Sequence, residues 1–196
     1  AAPPVDAQVL GGLLLDLYRF ARELPLADFQ HRVLERLSEA LPFDSAWWGM
    51  SELDRELHSS FPFRLPAGYV DAWRAIRGHD LMADAVIGAP SITANFDTAR
   101  LHATPTFAAF VDAYDIRQSM CTLLMNPTLN LTTFLSLYRQ GPDARPFSEA
   151  ERQFKQLVMP HLWAAWTSNW ISQLASAKAH SYSSRVTLAV ADQKGV

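Results

Sequence analysis

Apolar residues recur at helical spacing from the start of the chain: Leu10, Leu13, Leu14, Leu17, Tyr18 and Ala21. This spacing predicts a helix from an Asp6 cap to about Glu23, where Pro25 breaks it. Phe29, Val33, Leu37 and Ala40 repeat the pattern and predict a second helix over 26–41, ended by Pro42 and Asp44. The pattern then changes. Residues 45–51 read as a strand, and Asp54-Arg55 as a turn into a partner strand over 56–63. Trp47 and Trp48 are adjacent, and neighbours on a strand point to opposite faces. Pro62 places the partner strand at an edge or ends it there.

Leu65, Tyr69, Trp73 and Ile76 bring back the helical spacing behind Pro66. Gly78 interrupts it, and a short helix follows over 80–87. Residues 91–96 read as a strand. Thr104-Pro105 is a cap and first turn for a helix carrying Phe107, Phe110, Val111 and Tyr114. Residues 120–125 and 131–138 are two strands joined by a turn, with Leu131, Thr133, Leu135 and Leu137 on one face. Ser148 and Glu151 form a capping box. It opens a long helix to about Ala179, interrupted by Pro160. Val186, Leu188 and Val190 alternate and read as a last strand over 185–191. The order predicts an α+β fold, one antiparallel sheet with helices on its faces.

The 196 residues suit one domain, and 49% hydrophobic content supports a large core. The net charge of -3 gives no electrostatic footprint for nucleic acid. Cys121 is the one cysteine, so no disulfide can form within the chain and the composition fits a reducing compartment. The first apolar run is broken by Gly11, Gly12 and Asp16 and reads neither as a signal peptide nor as a membrane span.

Little of the chain looks catalytic. The six histidines show no metal-ligand spacing, and no nucleophile elbow or phosphate loop occurs. His79 abuts Asp80. Cys121 lies among apolar neighbours and reads as a buried small hydrophobe. Asp80 and Asp84 share a helix face. That suits acid–base work, and equally suits acidic residues favoured at a helix start. Trp47, Trp48, Tyr69, Trp73, Phe96, Phe107 and Phe110 suit either a core or an aromatic pocket for a small ligand.

From Leu65 onward the chain resembles the N-terminal sensor domains of LuxR-type transcription regulators. In those domains a Y-x-x-x-W-x-x-x-Y run precedes a helix opening with Asp-Pro. Here LPAGYVDAW, then HDLMADAV, sets Leu65, Tyr69 and Trp73 on the three aromatic positions and Asp80 on the aspartate. SITANF matches the next strand, with Asn95 or Phe96 at the family's tryptophan. LPFDSAWWGM resembles its first strand, and the segment from Thr104 to Arg139 its final hairpin. The likeness runs from around Pro25 to around Ala175. It implies a GAF/PAS-like fold and a small-molecule site in which Asp80 accepts a ligand N–H or O–H. Leu65 and Tyr69 stand where the family's tyrosine and tryptophan bond acyl-homoserine lactones, which implies a different ligand. PFSEAERQFKQLVMPHL is more like the GAF-type sensors that do not respond to those lactones. RVTLAVADQKGV resembles the first strand of a PAS-like unit.

These readings converge on a ligand-sensing domain over 1–180, with 181–196 as a linker or the start of a second unit. The expected ligand is small and mostly apolar, lined by Trp47, Trp48, Leu65, Tyr69, Trp73, Asp80 and Phe96, with no metal, cofactor or catalysis. The resemblance implies a cytoplasmic homodimer that reaches DNA through a helix-turn-helix outside this chain. The alternative is a dimerisation and scaffold module whose cavity is filled by its own side chains.

Overall fold

A computed structural model describes residues 6–101 and 104–193, with side chains as far as Ser176. The chain runs α1 (Ala7–Glu23), α2 (Leu26–Ala40), β1 (Ser45–Glu52) and β2 (Leu57–Phe63), then α3 (Tyr69–Ile76) and α4 (Leu81–Gly88). It continues through β3 (Ala94–Asp97), α5 (Pro105–Ala113), β4 (Ile116–Asn126), β5 (Leu131–Gln140) and α6 (Glu149–Gln193). The expected caps form. Asp6 Oδ1 accepts from the Gln8 and Val9 amides, and Thr104 Oγ1 from the Phe107 amide. In the capping box the Ser148 amide donates to Glu151 Oε2 at 2.7 Å and the Glu151 amide to Ser148 Oγ at 3.2 Å. α3 starts later than Pro66, because Gly68 turns the chain at φ 87, a conformation glycine adopts without strain.

The five strands form one antiparallel sheet in the order β2-β1-β5-β4-β3. Pro62 lies on the edge strand β2, where its missing N–H costs no inner ladder bond. Gly49 pairs with Phe134 across β1 and β5. A Cβ there would stand 2.6 Å from the Phe134 ring and 2.6 Å from the Ser59 carbonyl, so glycine lets that ring lie flat across β1.

Each face of the sheet carries its own core. α1, α2 and α6 cover one face, where Leu17, Phe29, Leu37, Leu135, Leu162 and Trp166 pack together. α3, α4 and α5 cover the other with Tyr69, Trp73, Phe107, Phe110, Ile116 and Tyr138. Trp48 joins the first core and Trp47 the second, as strand alternation requires.

Further readings change, and the strand expected over 91–96 begins only at Ala94. The alternating stretch 185–191 is helical, because α6 continues to Gln193. A strand there would need a partner for its amides, whereas a helix satisfies them internally. β4 and β5 also extend past their apolar runs, to Ile116 and Gln140. Arg139 ends that extension as a buried cation. It donates to the Pro42, Arg145 and Pro146 carbonyls, pairs with Glu151 at 2.6 Å and lies 3.9 Å from the Phe147 ring centroid. It ties the start of α6 to the sheet.

Candidate functional site

A cavity of about 50 Å³ lies between the sheet and the α3–α4 segment. A water needs about 10–15 Å³ by this measure, so the space takes a few waters or a molecule of few atoms. Met82, Ala83, Val86 and Ile87 of α4 form one wall. Cys121, Thr122 and Leu123 of β4, with Phe134, Ser136 and Tyr138 of β5, form the floor. Trp47 and Trp73 close one side with their rings 4.8 Å apart and nearly perpendicular. Arg55 lies along the rim and donates to the Arg77 carbonyl and to Asp84.

Asp80 lines this cavity at 7% exposure. It is the N-cap of α4: Oδ1 accepts from the Met82 and Ala83 amides at 3.0 Å each, and Oδ2 accepts from Trp73 Nε1 at 2.7 Å. A carboxylate offers about four acceptor positions, and these three donors leave one unused. Burial pushes its pKa up, and the bonds from Ala83, Trp73 and Met82 together with the Arg55 charge pull against that rise. Asp84, one turn on, is solvent-facing and pairs with Arg55.

Tyr69 reaches the cavity through Tyr138. Its hydroxyl donates to the Tyr138 hydroxyl at 3.0 Å, and burial raises the pKa of both. Both therefore stay protonated as neutral donors. Trp47 Nε1 donates to Ser60 Oγ at 2.7 Å, so its indole N–H is used on the sheet side. Cys121 is buried and its pKa is pushed up by desolvation, which keeps it a thiol. Among the described residues no three His, Cys, Asp or Glu side chains are placed to hold a metal ion.

The structure brings Trp47, Trp73 and Asp80 together at the cavity, with Tyr69 just behind. It separates the others. Trp48 is in the opposite core, 5.3 Å from Trp166 by ring centroid, because alternation turns it away. Leu65 and Phe96 pack on the cavity-side core without lining the space. The β5 lining was readable: Leu135 and Leu137 mark one face, so Phe134, Ser136 and Tyr138 must occupy the other. Arg55 gave no such signal, because a charged turn residue reads as solvated.

No family profile matches the sequence, and neither does any curated protein. Solved structures do match. CepR2 of Burkholderia cenocepacia, an N-acylhomoserine-lactone-dependent LuxR-family factor, is 14% identical over 85% of this chain and 98% of its own, with a TM-score of 0.64. Escherichia coli SdiA in complex with octanoyl-rac-glycerol is 15% identical over 85% of this chain and 67% of its own, TM-score 0.58. The phycoerythrobilin-bound GAF domain of a cyanobacterial phytochrome is 14% identical over 84% and 97%, TM-score 0.58. The fold is that of the autoinducer-binding and GAF domains. Within this GAF-like fold the aspartate, the indole that holds it and the adjoining cavity lie together on one face of the sheet. No helix among the described residues is long and apolar enough to cross a membrane.

Proposed function

We propose that the chain is the ligand-sensing domain of a LuxR-type transcription regulator. The observation that carries this reading is the cavity beside Asp80: apolar walls, one carboxylate with an unused acceptor position, and neutral hydroxyls on the floor. That is the usual makeup of a small-ligand site. The fold neighbours support it, since CepR2 and SdiA are named for ligand dependence or a bound acylglycerol. The ligand is not an acyl-homoserine lactone. Leu65 supplies no hydroxyl, Tyr69 spends its own on Tyr138, and about 50 Å³ suits a smaller body. The chain acts as a homodimer in the cytoplasm, and DNA binding belongs to another segment of the protein.

The narrowness of the cavity also favours a second reading, a scaffold domain whose aromatic residues fill their own interior. Fluorescence separates the two, because Trp47 and Trp73 wall the cavity while Trp48 lies in the other core. Titration with small alcohols and amides changes tryptophan emission saturably in the wild type and in Trp48→Phe. The change is lost in Asp80→Ala. Saturable quenching by acyl-homoserine lactones at micromolar concentration would overturn the ligand assignment. No response to any donor would favour the scaffold.

A further inference from the structure

Lys155 lies in the middle of the helix layer at 0% exposure. Its Nζ donates to the Leu135 carbonyl at 2.7 Å, the Met120 carbonyl at 2.8 Å and Thr122 Oγ1 at 3.0 Å. Three oxygens thus match the three protons of an ammonium. These acceptors are neutral and belong to the adjacent inner strands β4 and β5. On the opposite face of the same strands, Cys121, Leu123 and Ser136 turn to the cavity floor, whereas Thr122, between Cys121 and Leu123, turns to α6.

A second arm starts from the same turn of α6. Gln156 Oε1 accepts from the Thr93 amide at 2.6 Å, and Gln156 Nε2 donates to the Ser91 carbonyl at 2.7 Å. Arg152 donates to the Thr93 carbonyl at 3.1 Å. Thr93 Oγ1 meets Thr122 Oγ1 at 2.8 Å, so the two arms join at Thr122. Residues 91–93 come after Ala89 and Pro90, which follow α4, the cavity wall that ends at Gly88. Arg152, Lys155 and Gln156 are spaced i, i+3, i+4 and so share one face of α6.

We propose that Lys155, with Gln156 and Arg152 beside it, couples occupation of the cavity to the position of α6. One turn of α6 grips the floor strands and the 91–93 segment that leads away from the α4 wall by directional bonds. Apolar contacts alone are non-directional and would let the layers slide. A buried amine also costs stability that an apolar side chain would not, and a fully satisfied polar network selects one arrangement of the parts it joins. Lys155 is a positioning residue: it touches no ligand and acts through the strands. The proposal rests on the sensor reading, and its test needs no ligand.

The test is amide hydrogen exchange on the full chain. Cys121→Met lengthens a side chain that faces the cavity and serves as a built-in occupant. It should change exchange in α4 and also in α6 around 152–160, by about threefold or more in α6, within the span of known coupling effects. In Lys155→Met plus Cys121→Met the α4 response persists and the α6 response disappears. Gln156→Ala, at a half-buried position, should reduce the α6 response without unfolding the chain. A structural role for Lys155 would shift exchange equally with and without Cys121→Met. An undiminished α6 response in the Lys155→Met background would overturn the coupling. So would a wild-type α6 that ignores Cys121→Met while α4 responds. Failure to find a natural ligand would sink the sensor reading and leave both exchange results standing.

Discussion

Asp80 holds three donors at once, two in the α4 cap and one from Trp73, and the cap and the Trp73 bond predict separate losses. Asp80→Ala removes the α4 cap, costing about 0.5–2 kcal/mol, and strands the buried Trp73 N–H, costing about 1–3 kcal/mol. Asp80→Asn keeps an oxygen for the Met82 and Ala83 amides but turns an NH₂ toward Trp73. Chemical denaturation should rank stability as wild type, then Asn, then Ala. Equal losses in the two variants would mean that the cap contributes nothing. Asp80 stood out in the sequence through the resemblance to LuxR-type sensors, while its residue pattern alone also suited an acidic helix start. Its cap was legible too, since an aspartate opens the helix. Its bond to Trp73 was not, because that contact depends on how α3 and α4 fold over each other. Lys155 and Arg139 were missed for a shared reason. A cation in an amphipathic pattern reads as solvated, and only tertiary packing brings carbonyls around it.

α6 carries the plainest pH signature of any element. Burial lowers the Lys155 pKa from its ordinary 10.5 to about 7. Between those values the unfolded chain binds a proton that the folded chain has released. Stability from this group therefore rises as pH increases from about 7 toward 10.5, and is flat below about 7. Tyr69, Tyr138 and Cys121 act in the opposite sense: burial keeps them protonated in the fold while the unfolded chain begins to ionise them toward the top of this range, which lowers stability as pH rises. The difference between the wild type and Lys155→Met isolates the lysine. Denaturation midpoints of the two proteins across that range should diverge in favour of the wild type as pH rises. A constant difference would contradict a released proton. At this scale most elements were legible from period and caps. Helix ends near Pro25, Thr104 and Ser148 follow from side-chain chemistry that acts locally. The misread stretch, 185–191, has a period of two but no strand beside it to pair with, and pairing is a property of the fold rather than of the segment.

The molecule as a whole is a sheet between two unlike layers. The α1–α2–α6 layer is a deep apolar core with Lys155 inside it, and the α3–α4–α5 layer encloses the cavity. The α+β class and the antiparallel sheet were readable from element order, and the structural neighbours share the architecture at 14–18% identity among the best of them. Strand order was not readable, because β1 pairs with β5 across a long stretch of chain. Which tryptophan faces the cavity followed only once that order was set. The central claim, that the space beside Asp80 takes a small molecule, is tested most directly by native mass spectrometry of the purified chain. The account predicts a retained small molecule on the wild type, released on denaturation and absent from Asp80→Ala. The chain at its bare mass, with no added small alcohol or amide retained by the wild type in preference to Asp80→Ala, would contradict it.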